Sequence, residues 1–409
     1  MVRVTTPPPR GAARRTRGHL RTWLLAAVCF AALAGTAACA GTPRHEEQTF
    51  GSAPPDQPGP RTDGHPPGTP LPGMPPVADP SDVYGADRRL AAAVRDFPAR
   101  VYVPDSGSDT VSVIDPASYR VVGTIRVGHR PQHVVPSWDL RTLWVGSDLG
   151  DTLTPIDPRT GRAGTPVPVP DPYNLYFTPD GRYAVVLAAD DRRIVLLDAH
   201  TMKEVRSVPL DCAGAGHADF SADGRYFVVS CEGGGTLLKV DTARMEVVAR
   251  RVLPHTGAMP QDVRLAPDGS RFLVADAAAN GLWILDGAAF SEPSFVPTGK
   301  GAHGLHISRD SRELYVSNRA EGTVSVYDFA KHRVTRKWRL PGGASPDTGG
   351  VSADGRVLWL SGLHHSVVYA IDTRTGVQLA RVKVGSAPHG LAVYPQPGRY
   401  SLGHTGILR

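Results

Sequence analysis

Glu313-Leu314-Tyr315-Val316-Ser317-Asn318, then a short loop, then Thr323-Val324-Ser325-Val326-Tyr327-Asp328 is the stretch on which the reading of this chain turns. Both runs are rich in β-branched and aromatic types and are bounded by Asn, Gly and Asp, which are strand and hairpin signals. Gly304-Leu305-His306-Ile307 precedes them across a turn at Asp310-Ser311, and Val334 to Leu340 follows, so the unit reads as four short strands. Its closing aspartate recurs along the chain. The series is Asp115, Asp157, Asp198, Asp241, Asp286, Asp328 and Asp372, at separations of 42, 41, 43, 45, 42 and 44 residues. Tight-turn pairs keep step with it at Asp139-Leu140, Asp180-Gly181, Asp223-Gly224, Asp268-Gly269, Asp310-Ser311 and Asp354-Gly355. An aspartate at a strand end bonds backbone amides ahead of it and begins a turn. Seven copies spaced at one period cannot share a site, so they read as turn chemistry rather than catalysis.

Self-similarity at this period, with no window of helical periodicity between the strands, predicts an all-β, seven-bladed β-propeller of four-stranded antiparallel blades. Radial repetition leaves few strand edges exposed. The chain enters at Arg100-Val101-Tyr102-Val103, which matches the second strand of a repeat, and leaves at Leu391-Ala392-Val393-Tyr394, which matches the first. The C-terminal strand is therefore expected to complete the first blade and close the ring, making residues 100–409 one domain. Val101-Tyr102-Val103 with Thr110-Val111-Ser112-Val113-Ile114-Asp115, and Leu314 to Asn318 with Thr323 to Val326, resemble the YVTN repeat. Over the whole ring the chain is similar to YncE-like seven-bladed propellers of bacterial envelopes. That resemblance implies the fold and says little about function, because the architecture hosts binding proteins and enzymes alike.

The 409 residues carry a formal net charge of +6. The excess sits in residues 1–38, where Arg3, Arg10, Arg14, Arg15, Arg17 and Arg21 occur without Lys, Asp or Glu, and the remainder holds 39 basic against 39 acidic residues. A neutral remainder offers little counterion release, so no nucleic-acid partner is expected. The arginines lead into the apolar run Trp23 to Ala34, too short to span a bilayer comfortably, so residues 1–38 read as a signal peptide. Gly35-Thr36-Ala37-Ala38-Cys39 resembles a bacterial lipobox, which implies lipidation at Cys39, although Thr36 stands where that motif carries Leu, Val or Ile. Ala38-Cys39-Ala40 also reads as an ordinary cleavage site that would leave no anchor. The expected location is the outer face of the cell membrane, held by a lipid alone, or the medium. Residues 39–85 contain twelve prolines after Cys39 and almost no aliphatic run, so they read as a disordered tether. Residues 86–99 form a lead-in, with a short helix expected over Ala86 to Arg95.

Chemistry is expected on the face where fourth-to-first and second-to-third strand loops surround the channel. Aligning the repeats on their turns places Gln132, Tyr173, Gly216, Gln261, His303, Asp347 and His389 in one layer, with His133, Asn174, His217, Asp262, Gly304, Thr348 and Gly390 in the next. His133, His217, Asp262, His303, Asp347 and His389 are the candidate ligand-binding residues of the channel mouth. Imidazoles and carboxylates converging from different blades suit a transition metal, a haem-like group or acid–base work. His303, Asp347 and His389, on neighbouring blades, are the best-placed metal set. A polar lining of a wet channel is the plain alternative. No haem-attachment, phosphate-loop or nucleophile-elbow motif is present. Cys212 and Cys231 lie toward one end of a hairpin and read either as a disulfide or as two buried thiols.

Two functions stay open on these residues. The first is a monomeric binding module holding an envelope protein or a small ligand through its loop face. The second is a metal- or haem-dependent redox enzyme, or a lactonase-like hydrolase, at the channel mouth.

Overall fold

The structure, a computed structural model, describes residues 69–85, 89–404 and 406–409. The stretch expected to be a signal peptide, Cys39 and the expected tether up to residue 68 lie outside the described residues. Among the described residues no helix is long and apolar enough to cross a membrane.

Seven antiparallel sheets surround a channel. Their innermost strands are Ala392–Tyr394 (blade 1), Pro131–Pro136 (blade 2), Asn174–Phe177 (blade 3), Ala215–Phe220 (blade 4), Pro260–Leu265 (blade 5), Ala302–Ile307 (blade 6) and Pro346–Val351 (blade 7). Blade 1 is closed as the sequence predicts: Ala392–Tyr394 pairs with Arg100–Asp105 in the register Arg100↔Tyr394, Val101↔Val393, Tyr102↔Ala392. Burial falls from the axis outward. The inner strand Pro131–Pro136 is buried at every position, whereas the outer strand Arg120–Arg126 of blade 1 is exposed along almost its whole length. The middle strands pack on both faces, which is why they read as continuous apolar runs rather than alternations. Between blades 3 and 4, for example, Tyr176, Val185 and Leu196 meet Phe220, Phe227 and Val229. Blade 2 departs from the pattern: its last strand is split into Arg162–Ala163 and Val167–Pro168, around a Gly164-Thr165-Pro166 interruption where proline cannot donate to the ladder.

The repeated aspartates are turn formers. Asp157 accepts from the Arg159 amide at 2.9 Å, Asp198 from the Thr201 amide at 2.8 Å and Asp372 from the Thr375 amide at 2.7 Å. The second set caps the first hairpin of blades 2 to 7, as Asp180 does with the Thr178 hydroxyl at 2.6 Å and the Arg182 amide at 3.2 Å.

Three segments differ from the sequence reading. Residues 69–85, expected to be part of the disordered tether, lie against the end of the ring opposite the loop face. The Leu71 amide bonds the Asp223 carbonyl at 2.7 Å, the Val83 amide bonds the Pro267 carbonyl at 2.8 Å, and Leu71, Met74 and Val83 are buried. Proline-rich composition disfavoured a core of their own but not docking onto an existing one. The lead-in forms no helix among its described residues: Val94 and Phe97 close tight turns on Ala91 and Val94, and Val94 is fully buried. The Asp96-Phe97-Pro98 sequence stops helical continuation.

The third difference matters most. After closing blade 1 the chain turns into the channel as a hairpin, Ser401–Gly403 with Ile407–Leu408, that extends the sheet of blade 3 beyond its inner strand. Tyr400, Leu402, Ile407 and Leu408 are buried. The Arg409 guanidinium meets Asp219 at 3.0 Å and the Phe220 and Ser221 carbonyls at 2.6 and 2.8 Å. The channel is thus plugged at its lower end by the protein's own tail.

Cys212 and Cys231 form a disulfide with Cα atoms 6.0 Å apart, beside the start of the blade 4 inner strand. Closing a loop of this length is worth about 3 kcal/mol. The double variant Cys212→Ser/Cys231→Ser is expected to unfold at a correspondingly lower denaturant midpoint. An unchanged midpoint would show that the bond adds no constraint.

Candidate functional site

Consecutive strand residues point to opposite faces, so two adjacent layers should not both serve one channel. β-Bulges resolve this. The pairing of first and second strands slips between Pro131 and His133, Ala215 and His217, Pro260 and Val263, Ala302 and Leu305, and Pro346 and Gly349. Each slip falls where a blade delivers His133, His217, Asp262, His303 or Asp347. An extra residue on one strand bends it and re-aims its side chain, which is how bulges serve sites. Glycine completes the arrangement at position 390, bridged in parallel to His133, where a Cβ would overlap the His133 ring.

All six predicted site residues meet in one chamber above the tail hairpin, and each is at most 6 % exposed. They sit below the rim rather than on it. The ring centres of His133 lie 4.8 Å from His389 and 5.6 Å from His217; His217 lies 5.7 Å from His303, and His303 6.1 Å from His389. His404 of the tail rises from below, 5.2 Å from both His133 and His217. Tyr173 packs edge-on against His133 at 5.2 Å, and Arg319, a quarter exposed, closes the rim on the other side.

The polar partners fix most rings. His133 Nδ1 is 2.9 Å from the Tyr173 carbonyl, which leaves Nε2 as the lone-pair nitrogen, buried and without a partner. His217 Nδ1 is 3.1 Å from Asp262 Oδ1, out of hydrogen-bond alignment, and 3.4 Å from Asn174 Nδ2, whereas His404 Nε2 bonds Asp262 Oδ2 at 3.3 Å. Asn174 Nδ2 donates to His404 Nδ1 at 3.1 Å, so both nitrogens of His404 are engaged. His303 Nδ1 is 3.0 Å from Asp347 Oδ1, though out of hydrogen-bond alignment, and His389 Nε2 is 3.6 Å from Asp347 Oδ2 while its Nδ1 is buried with no partner. Arg319 holds Asp347 Oδ1 through Nη2 at 2.5 Å and Nε at 3.1 Å.

Burial keeps the His133, His217, His303 and His389 imidazoles neutral. Burial holds His133 and His217 well below the ordinary histidine range and brings His303 down to about 3, where the Arg319 charge adds to the effect. Burial likewise lowers His306, deeper in the channel, to about 3. For Asp347, burial works upward, but the Arg319 guanidinium and the His303 ring outweigh it and hold the carboxyl well below the usual range. A histidine that is neutral when folded and titrates near 6.5 when unfolded makes the unfolded chain the better proton binder between pH about 6.5 and 3. The metal-free protein should therefore lose stability as pH falls through that window, by up to about 1.4 kcal/mol per pH unit for each such histidine. Denaturant midpoints at pH 7 and pH 4.5, in chelator, check this; equal midpoints would refute neutral burial.

Two donor groups are compact: single donor atoms of His133, His217 and His404 lie within 4.8 Å of one another, as do those of His303, Asp347 and His389. A tetrahedral ion about 2.0–2.1 Å from four imidazole nitrogens would place neighbouring ring centres about 5 Å apart. Around the quartet His133, His217, His303 and His389 the four adjacent ring pairs are spaced from 4.8 to 6.1 Å, near that value, so closing on one ion would need the two opposite pairs to draw in as well. Carboxylates and a carbonyl behind the rings supply the second shell that orients metal-binding histidines. A haem-like group does not fit. The rings stand closer together than a macrocycle is wide, and the tail occupies the channel beneath them.

Sequence alignment of the repeats placed the quartet and both carboxylates in these layers; His404 lies past the last repeat, outside the alignment. The alignment missed the Tyr173 carbonyl, Asn174 as a partner of His404, and Arg319 as the countercharge of Asp347. The first is a backbone group with no sequence signal. The rim residues Asp148 and Arg130 pair with each other at 2.7 Å, outside the chamber.

With the geometry in place, comparison with known proteins agrees on the fold. The sequence model of the YncE-like beta-propeller family matches residues 73–398. An uncharacterized protein YncE of Salmonella typhimurium strain LT2 is 23 % identical over 278 residues, covering 61 % of this chain and 73 % of that protein. A functionally unknown protein from Desulfotomaculum acetoxidans superposes with a TM-score of 0.61 at 16 % identity, covering 73 % of this chain and 99 % of that one. Dihydro-heme d1 dehydrogenase NirN superposes at 0.54 and 16 % identity, covering 79 % and 78 %. At such identities the likeness to solved structures concerns the fold alone. Bulged inner strands, a blade closed by the C-terminal strand and a match across most of the chain lead to one assignment: this protein belongs to the YncE-like β-propeller family.

Proposed function

We propose that this propeller is an extracytoplasmic binding module whose ligand is a transition-metal ion held inside the channel by His133, His217, His303 and His389. The observation that carries the reading is His133 Nε2, a buried lone-pair nitrogen with its tautomer fixed and no partner, in a ring set against those of His217, His389 and His404. Leaving such an acceptor unsatisfied costs about 1–3 kcal/mol, which an ion would recover. Neutral imidazoles need lose no proton to ligate, and they suit zinc, copper, nickel or iron rather than the oxygen-seeking magnesium and calcium. Burial excludes a protein partner from these side chains; any envelope protein would meet the rim loops instead. Lipidation at Cys39 belongs to the same proposal and would hold the ring at the membrane by its tether.

A second reading rests on His303, His389 and Asp347, the two-histidine, one-carboxylate composition found in redox iron sites. Arg319 neutralises that carboxylate and weakens it as a cation ligand, so the all-imidazole set is preferred.

The test is metal content and visible absorption of the full exported chain purified from its native host. About one equivalent of metal per ring supports the proposal. Protein that arrives metal-free and fails to take up zinc, copper or nickel in equilibrium dialysis ends it, leaving the histidines as channel lining.

A further inference from the structure

We propose that the opposite, lower end of the channel carries a second and independent site, for a small oxyanion such as phosphate, sulfate or a short carboxylate. A cavity of about 60 Å³ lies there, bounded by Arg264, His306 and Arg309, with Tyr84 and the tail residues Gln396 and Leu408 around them. At about 10–15 Å³ of accessible space per water, it holds a group of four or five heavy atoms. Among the described residues no aspartate or glutamate lines it.

The arginines single it out. Those of the upper channel and the tail have carboxylate partners: Arg130 has Asp148 at 2.7 Å, Arg319 has Asp347 at 2.5 Å and Arg409 has Asp219 at 3.0 Å. Arg264 is 5 % exposed, and its Nη2 bonds only the Leu305 carbonyl at 2.9 Å while its Nε is buried with no partner. Arg309 donates to the Val351 and Ser352 carbonyls. His306 is equally buried, and its Nε2 also lacks a partner. The nearest carboxylates are committed elsewhere. Asp262, two residues before Arg264, is turned to His217 and His404, and Asp219 is held by Arg409, the Tyr84 hydroxyl and the Leu265 amide. A buried guanidinium with spare donors and no countercharge is costly, and its planar fork matches an oxyanion edge. Arg264 meets that description. Arg309, partly exposed and within the field of Asp354, adds a second guanidinium to the same cavity. The buried His306 imidazole adds a third nitrogen donor set, and together they make a built anion site rather than a solvated patch.

The test uses the full exported chain in chelator, so that the result does not depend on the metal reading. Inorganic phosphate, sulfate and acetate are titrated by calorimetry and by thermal unfolding, against chloride at equal ionic strength. At least one oxyanion is expected to bind saturably and raise the unfolding midpoint, and the order among the three distinguishes tetrahedral from carboxylate ligands. Arg309→Gln, at a partly exposed position that should still fold, is expected to weaken binding about tenfold, as loss of one charged hydrogen-bonding group does. Arg264→Met should abolish binding while leaving the midpoint in chloride unchanged or higher, since replacing a buried unpaired charge relieves its desolvation. No saturable effect of any oxyanion beyond chloride, or binding in Arg309→Gln as tight as in the parent, overturns the proposal.

Discussion

A chain lacking residues 396–409 should unfold at a much lower denaturant concentration than the full chain, by on the order of 5 kcal/mol, against a total margin of about 5–15 for a folded domain. The ring itself would still be closed, because Ala392–Tyr394 remains paired with Arg100–Asp105. What goes is the filling. Tyr400 is stacked on Trp138 at 5.7 Å between ring centres, and Leu402 and Ile407 belong to the same apolar cluster as Tyr176 and Phe220. Truncating one large buried side chain costs about 2–5 kcal/mol where the site cannot collapse, and a ring of seven sheets cannot collapse inward. Asp219 would also lose Arg409. That contribution sits near the low end of the roughly 3–5 kcal/mol expected for a broken buried pair, because the Tyr84 hydroxyl and Leu265 amide still hold the carboxylate. Arg409→Ala separates the two effects. If the truncated chain unfolds with the full-length midpoint, the tail is an ornament and the stability lies wholly in the blades.

The second large effect concerns His133 and has opposite signs in two conditions. Metal-saturated parent protein at a thousandfold excess over the dissociation constant should gain about 4 kcal/mol over its metal-free form. His133→Leu should gain almost nothing from metal. In chelator, however, the variant should lie close to the parent, because deleting an acceptor that had no partner offsets the donor lost to the Tyr173 carbonyl. The pair of measurements is thermal unfolding with and without metal in both proteins. A variant that binds metal as the parent does removes His133 from the site. One that is equally destabilised in both conditions makes His133 a packing residue.

How much of this was legible beforehand follows the repeat. Asp157, Asp198 and Asp372 announced their turns because an Asx turn is local chemistry written in a few residues. His133, His217, His303 and His389 could be placed in common layers because every blade is a ruler for the next. The bulges that turn these layers inward leave no mark of their own in the residues, so only the position, not the direction, was available. Past Tyr394 the ruler ends. Nothing periodic says that Ser401 to Leu408 enters the channel, or that Arg409 would find Asp219, a residue 190 positions earlier. Thr69 to Gly85 fails for a related reason. Its composition argues against folding alone, and its docking depends on turns at Asp223 and Pro267 that belong to other blades. Arg264 and His306 lie further down the same strands as the chamber residues, two and three positions past Asp262 and His303, and carry no repeat counterpart that would mark them as a site.

That docked segment also determines how a tethered molecule would bear tension. Leu71 and Val83 are fastened to the hairpin turns of blades 4 and 5, across the ring from the three-residue seam in blade 1. A pull on the chain ahead of Leu71 would enter the molecule at blade 4, the blade stapled by Cys212–Cys231, and would not peel the seam.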